Sequence, residues 1–365
     1  MIMFGCWEIR DSLFLRVFFF LVGGKRMLNF LRATAKVELS EQDKDIFTNY
    51  LQKNVGCPDY INAIFFNRIQ YLFIKHVIEI NQFNLLNKKL GMDYSAQLYV
   101  NNLIYNEYLD YLDKITEDFE ANDIEYCILK GFSIMDSLYR VEDLIYRRFS
   151  DTDILVSKKD VRKVDEIMKK YDFVQGSVNS MGQIEKASRR EIIYWGLNSH
   201  QEQLYVKFSK YAVTPYMAID IDINTSIFEG GKTKDPIPTE ELLKHRQVKI
   251  NGHGKKFYAL EKEYELIQLI YHFYKDTVYE IKKAMKQDYS LNKFCDVREY
   301  ILKYRDEIDW DLFIDIVNSN NIGNGIYYVL LIVSDFYKDM DIDDILERIE
   351  ADKNVEIPCW ENVFK

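Results

Sequence analysis

The chain has 365 residues, 48% hydrophobic and 29% charged, with a formal net charge of −10. That length and balance describe a soluble globular protein of two or three domains, and the low content of 5 Pro and 15 Gly argues against long disordered linkers. An acidic surface repels phosphate backbones and anionic lipid, so broad nucleic-acid binding and a membrane partner are both disfavoured.

The run Ser12 to Val22 (SLFLRVFFFLV) is apolar apart from Arg16 and too short to span a bilayer. Glu8 and Asp11 spoil a signal-peptide flank, and Gly23-Gly24-Lys25-Arg26 is a poor cleavage site. Residues 1–26 are therefore read as a leader outside the native protein, with Met27 as the start; an extra packed helix or a weak membrane anchor is the alternative. From Ser40 to Asn122 the pattern is helical. Ile61, Ile64, Phe65, Ile69, Leu72, Phe73, Val77 and Ile80 follow near-helical spacing to a stop at Gly91, and a second helix runs from Ser95 to Ala121.

The texture then changes. Glu125–Leu129 is β-type and ends at Lys130-Gly131, Phe132–Arg140 is one short helix, Asp151–Ser157 is a strand, and Lys158–Tyr171 is an amphipathic helix. Short strands follow at Phe173–Gly176, Glu202–Phe208 and Met217–Ile227; Glu191–Leu197 is ambiguous between helix and strand. Residues 230–237 (GGKTKDPI) read as a linker, Val248–Phe257 as a small β piece, and Glu261–Met285, Asn292–Tyr304 and Trp310–Tyr337 as helices. The acidic run Asp339–Asp343 reads as a solvated approach. The expected fold class is α+β, a mixed sheet with helices packed on it. Its parts are a leader at 1–26, an N-terminal helical domain at 27–122, a sheet domain at 123–229, a linker with a small β element at 230–258, and a C-terminal helical domain at 259–365. The five cysteines (Cys6, Cys57, Cys127, Cys295, Cys359) have no zinc-type spacing and read as reduced thiols, which points to the cytoplasm.

The chemistry gathers on two strands. In Asp151-Thr152-Asp153 the carboxylates point to one face, with Ile154-Leu155-Val156 anchoring the strand behind them. Alone this is a weak motif, because 58 acidic residues in 365 produce acidic-x-acidic about nine times by chance. In MAIDIDIN, Ile219, Ile221 and Ile223 share one face while Asp220, Asp222 and Asn224 share the other. That polar face either meets water or, if the strand lies beside the first, adds a third carboxylate. Three converging carboxylates are unfavourable without cations and would imply two Mg²⁺ ions. Lys130-Gly131 closes the strand upstream. Gly131 permits close backbone approach, and Lys130 supplies a point charge for a phosphate. Arg147 and Arg148 either hold phosphate or compensate the acidic cluster. His272 reads as a hydrogen-bonded core histidine, with acid/base work as the alternative, and Asp296 reads as structural.

The stretch ILKGFSIMDSLYR…YRRFSDTDILV resembles the uncharacterised nucleotidyltransferase family of the polymerase-β-like superfamily. Leu129-Lys130-Gly131, Leu138-Tyr139, Arg147 and Asp151/Asp153 match its ordered positions. Asp222-Ile223-Asn224 stands where the family has Asp-aliphatic-His, so Asn224 departs from the pattern. The resemblance implies a nucleotidyltransferase-type sheet domain and transfer of an NMP from an NTP to an acceptor hydroxyl on a small molecule or protein. Asp151, Asp153 and Asp222 would be catalytic and would ligate two Mg²⁺ ions, or Mn²⁺ in their place. Lys130, Gly131, Ser133, Arg147 and Arg148 would bind the nucleotide. The competing reading is a nucleotide-binding or protein-interaction module with the same fold and no turnover. The acceptor, the base of the NTP and the oligomeric state are not legible in the sequence.

Overall fold

The computed structural model describes residues 24–54, 59–212, 217–228, 235–285 and 288–364. The expectations for the apolar run 12–22 and for residues 230–234 lie outside them. The chain opens with helices α1 (Gly24–Thr34), α2 (Glu41–Lys53), α3 (Asp59–Phe66) and α4 (Gln70–Glu79). Ser40 starts α2 with a capping box, its hydroxyl meeting the Asp43 N–H while Asp43 reaches back to Ser40. The apolar period over 58–90 predicts one helix, but the chain leaves it at Asn67. Arg68 adopts a left-handed φ of 58°, and α4 restarts in a new direction. No Gly or Pro marks this break, so the sequence hid it. The expected stop at Gly91 is also displaced: Gly91 lies inside α5 (Lys88–Ala121), a helix of 34 residues.

The fold class is α+β, with one mixed eight-stranded sheet. Its strands are β1 (Tyr126–Leu129), β2 (Thr152–Val156), β3 (Val174–Val178), β4 (Ile184–Lys186), β5 (Tyr205–Phe208), β6 (Ala218–Asn224), β7 (Arg246–Ile250) and β8 (Lys256–Leu260). The spatial order is β4-β3-β5-β6-β2-β1-β8-β7. Helix α6 (Lys130–Leu138) follows β1, α7 (Val161–Lys170) follows β2, and α8 (Arg189–Asn198) fills the ambiguous stretch. The small β piece expected at 248–257 is a hairpin, β7 and β8. It completes the sheet, because β8 pairs parallel to β1.

The two sheet faces meet different partners. Ile154, Val156, Ile219, Ile221 and Ile223 pack on α5 and α7 through Tyr108, Leu112, Val164 and Met168. Cys127, Leu129 and Leu155 face the other way, toward the helices α9 (Lys262–Val278) and α10 (Leu291–Tyr304). That second core also takes in Phe30, Phe47 and Phe73 from the first helices. It reaches Val317 of α11 (Trp310–Ser319) and Phe336 of α12 (Gly323–Tyr337), so both ends of the described chain share it. Asp339 is exposed, as the acidic run predicts, and it also forms a bridge. It accepts from Arg298 at 3.1 and 2.8 Å and lies 3.1 Å from Lys36 Nζ. Among the described residues no helix is long and apolar enough to cross a membrane.

Candidate active site

Strand β2 is buried along its whole length, which is why it reads as an aliphatic run. It pairs parallel with β6, and Asp153 lies directly opposite Asp222. Residues paired across strands share a face, with Cβ atoms about 5 Å apart. Strand alternation puts Asp220 on that face too, and Asp151 stands just ahead of β2. The apolar side of β6, packed on α5, is what turns these carboxylates to the opposite face. Like charges crowded out of water resist ionisation. Burial, then Asp153 and Asp151, push the Asp222 carboxyl up to about 8. Burial and Asp151 push Asp220 up to about 6, and Asp220 Oδ1 is buried with no hydrogen-bond partner.

Lys130 closes β1 in a left-handed conformation, φ 51°, a strained geometry for a residue with a side chain. Its Nζ lies 2.6 Å from Asp153 Oδ1, and Asn224 Nδ2 donates to the same oxygen at 3.0 Å. Burial opposes the Lys130 charge, but Asp153 and Asp151 outweigh it and raise its pKa. Burial raises Asp153, against the pull of Lys130. The donor set of carboxylate oxygens is of the kind a hard divalent cation takes. The crowding of like charges and the unpartnered Asp220 oxygen fit such an ion. The cage is not closed, however. Among the described residues no three such groups stand in metal-holding array, and Lys130 occupies the Asp153 oxygen that an ion would share.

Of the other expected nucleotide contacts, Arg147 and Ser133 are engaged elsewhere. Arg147 donates to both oxygens of Asp296 at 2.8 and 2.6 Å, and Tyr139 Oη adds a third bond to Asp296 at 2.6 Å. This ion pair raises the Arg147 pKa despite burial. Gly131 has a reason in the same pair, since a Cβ there would lie 2.6 Å from Arg147 Nη1. Ser133 donates to the Lys130 carbonyl at 2.8 Å, within its own helix. Arg148 is exposed and stands near Arg68 and Tyr71. His272 is half-buried beside Lys293, with 3.1 Å between Nε2 and Nζ.

On one side the carboxylates open into a cleft of about 340 Å³ lined by Asp151, Asp220, Asp222, Trp195, Gln201 and Glu202. Sequence reasoning put Asp220 on the right face but left it out of the site. Trp195 and Gln201 carried no signal, because they reach the cleft from separate elements. The sequence profile described as "Uncharacterised nucleotidyltransferase" matches residues 54–338. No curated protein matches the chain. Among solved structures it is similar to the crystal structure of an antigenic nucleotidyltransferase-like protein from Paracoccidioides brasiliensis. The identity is 13% and the TM-score 0.39, over 68% of this chain and 95% of that chain.

Proposed function

This chain belongs to the uncharacterised nucleotidyltransferase family, and from that premise we propose that it moves an NMP from an NTP to an acceptor hydroxyl, with Asp151, Asp153 and Asp222 holding Mg²⁺ or Mn²⁺. The observation that carries this reading is the register of β2 and β6, which sets Asp153 against Asp222 on one face beside Lys130. When bound, the divalent ion would neutralise triphosphate charge and lower the pKa of the acceptor hydroxyl. Burial, Asp153 and Asp151 push Asp222 up to about 8 in the ion-free site; with a cation bound it would release its proton to solvent and be free to act as ligand or as general base. Lys130 exchanges its bond to Asp153 for the phosphate oxygens. The acceptor oxygen forms its bond to the α-phosphorus, its proton passes to a carboxylate, and the bond to the β-phosphate breaks to release pyrophosphate. The cleft beside Trp195 offers the acceptor its approach.

A second reading has its own observation. Lys130 and Asn224 both engage one oxygen of Asp153, which already quiets that carboxylate as a non-catalytic nucleotide-binding or interaction module would. One experiment separates the two. The protein is incubated with each labelled NTP and Mg²⁺, alone and with cell extract, while pyrophosphate is measured. The enzyme reading expects release that Asp153→Asn and Asp222→Asn each reduce at least a hundredfold. NTP binding without release, or release indifferent to both substitutions, rejects it.

A further inference from the structure

The cleft beside the carboxylates carries charge of one sign. Asp151, Asp220, Asp222 and Glu202 line it, and among the described residues no Lys, Arg or His does. Divalent ions held by Asp151, Asp153 and Asp222 would leave Glu202 and Asp220 uncompensated. Glu202 stands just before β5, where its backbone N–H donates to the Ile223 carbonyl of β6 at 2.8 Å. The residue is only 7% exposed. Among the described residues no hydrogen bond or ion pair reaches its carboxylate. Lys158 acts on it from further away, and the Lys158 ammonium is engaged by the Gly196 carbonyl at 3.2 Å. A buried carboxylate is costly unless a cation or a donor meets it. Burial accordingly raises the Glu202 pKa against the pull of Lys158.

Helix α8 supplies an aromatic wall next to that carboxylate. Gly196 lets the helix close on it, since a Cβ at 196 would lie 2.9 Å from Glu202 Oε2. The preceding residue, Trp195, also lines the cleft, and at 39% exposure its indole is open to a ligand. A carboxylate beside an indole receives an organic cation twice, by charge-assisted hydrogen bonding and by cation–π attraction. Indole offers a metal ion no ligand atom, so this end of the cleft suits an ammonium better than a further metal. The volume of about 340 Å³ is at the small end of ligand pockets, roughly 300–1,000 Å³, which fits a small molecule rather than a length of protein chain.

We infer that the acceptor is a small hydroxylated amine, held by its ammonium against Glu202 and Trp195. The inference rests on the transfer reading above for the fate of the hydroxyl, and it names the acceptor class that reading leaves open. The protonated nitrogen has no lone pair to attack with, so it serves as a handle. The hydroxyl oxygen is left to bond to the α-phosphorus, its proton passing to a carboxylate as pyrophosphate departs. Asp220 offers a second negative charge, and Gln201 and Ser177 on the same walls can meet further hydroxyls.

The test titrates the full chain calorimetrically in Mg²⁺ at neutral pH. The probes are ethanolamine and D-glucosamine as amines, with D-glucose and D-glucuronate as the neutral and anionic counterparts of the sugar. D-glucosamine should bind at least tenfold more tightly than D-glucose, and D-glucuronate more weakly still. Glu202→Gln should erase the preference for the amine. Trp195→Ala should weaken amine binding at least threefold, with Trp195→Phe, which keeps a ring face, restoring most of it. Trp195 is exposed, so its replacement leaves the core untouched. Glu117→Gln, an acid that pairs with Lys255 and lies off the cleft, is the control and should bind like wild type. The number of Mn²⁺ ions bound, counted by electron paramagnetic resonance, should be the same in Glu202→Gln as in wild type. Binding of neither amine, equal binding of D-glucosamine and D-glucose, a preference that survives Glu202→Gln, or fewer Mn²⁺ ions in that variant overturns the inference. An amine preference that depends on Glu202, in a chain that releases no pyrophosphate, would keep this site and reject the transfer reading. Pyrophosphate release without any amine preference would do the reverse.

Discussion

A methyl group at position 131 would meet Arg147 Nη1, and that guanidinium has nowhere to retreat because Asp296 holds it at two points. Gly131→Ala is expected to destabilise the fold by about 1–3 kcal/mol through overpacking. Arg147→Ala is expected to lose about 3–5 kcal/mol, because it strands the buried Asp296 carboxylate. Urea denaturation of both variants checks the order. Asp222 adds a pH dependence. Its carboxyl is raised from 3.8 to about 8 in the fold, so its favourable contribution is complete below about pH 4 and is lost as pH rises through about 8. Metal-free wild type should therefore lose a few kcal/mol, roughly 2–5, relative to Asp222→Asn between pH 5 and pH 9. Mg²⁺ should reverse that loss at high pH. Denaturation midpoints of the two proteins at both pH values decide it, and parallel curves would remove the crowding argument.

Among the longer helices, α8 has a stability that is local. Ser188 Oγ accepts from the Glu191 N–H at 3.3 Å, while Glu191 Oε2 accepts from the Ser188 N–H at 2.7 Å. No residue of the helix is buried, and Ile193, Tyr194 and Leu197 face outward. With no core to hold it, the helix depends on its cap. Ser188→Ala is expected to weaken it by about 1 kcal/mol, visible as faster amide exchange over 189–198 with an unchanged global melting temperature. A fall in the global transition would mean that α8 is tied to the core. The contrast with β6 is instructive. Its alternation could be read directly, because one face is pressed on α5 and the other is polar. The apolar run in α8 has no such partner, and its period was ambiguous for that reason.

Across the molecule, the first and last helices stand or fall together. They share one apolar core, and Asp339 joins Arg298 of α10 to Lys36 beside α2. Among the described residues, Asp339→Ala leaves Arg298 with Glu299 and Lys36 with Asp43 as their remaining carboxylate partners. The expected loss is about 1–3 kcal/mol. Limited proteolysis should then open the N-terminal helices and α12 at the same rate. Separate rates would show that the two ends unfold independently.

The sequence by itself determined the α+β class, the family resemblance and the facing of the carboxylates, because strand alternation and an aliphatic run are local patterns that survive without a partner. It marked Asp151, Asp153, Asp222 and Lys130 as one group, and the fold brings these four together. Only the tertiary structure decided that Arg147 belongs to Asp296, that Asn224 serves Asp153, and that Lys293 meets His272 and Asp276. Those pairings span up to 149 positions. The left-handed turn at Arg68 has no glycine to announce it. Which charges meet across such distances is settled by how helices pack over a sheet, and no spacing along the chain encodes that.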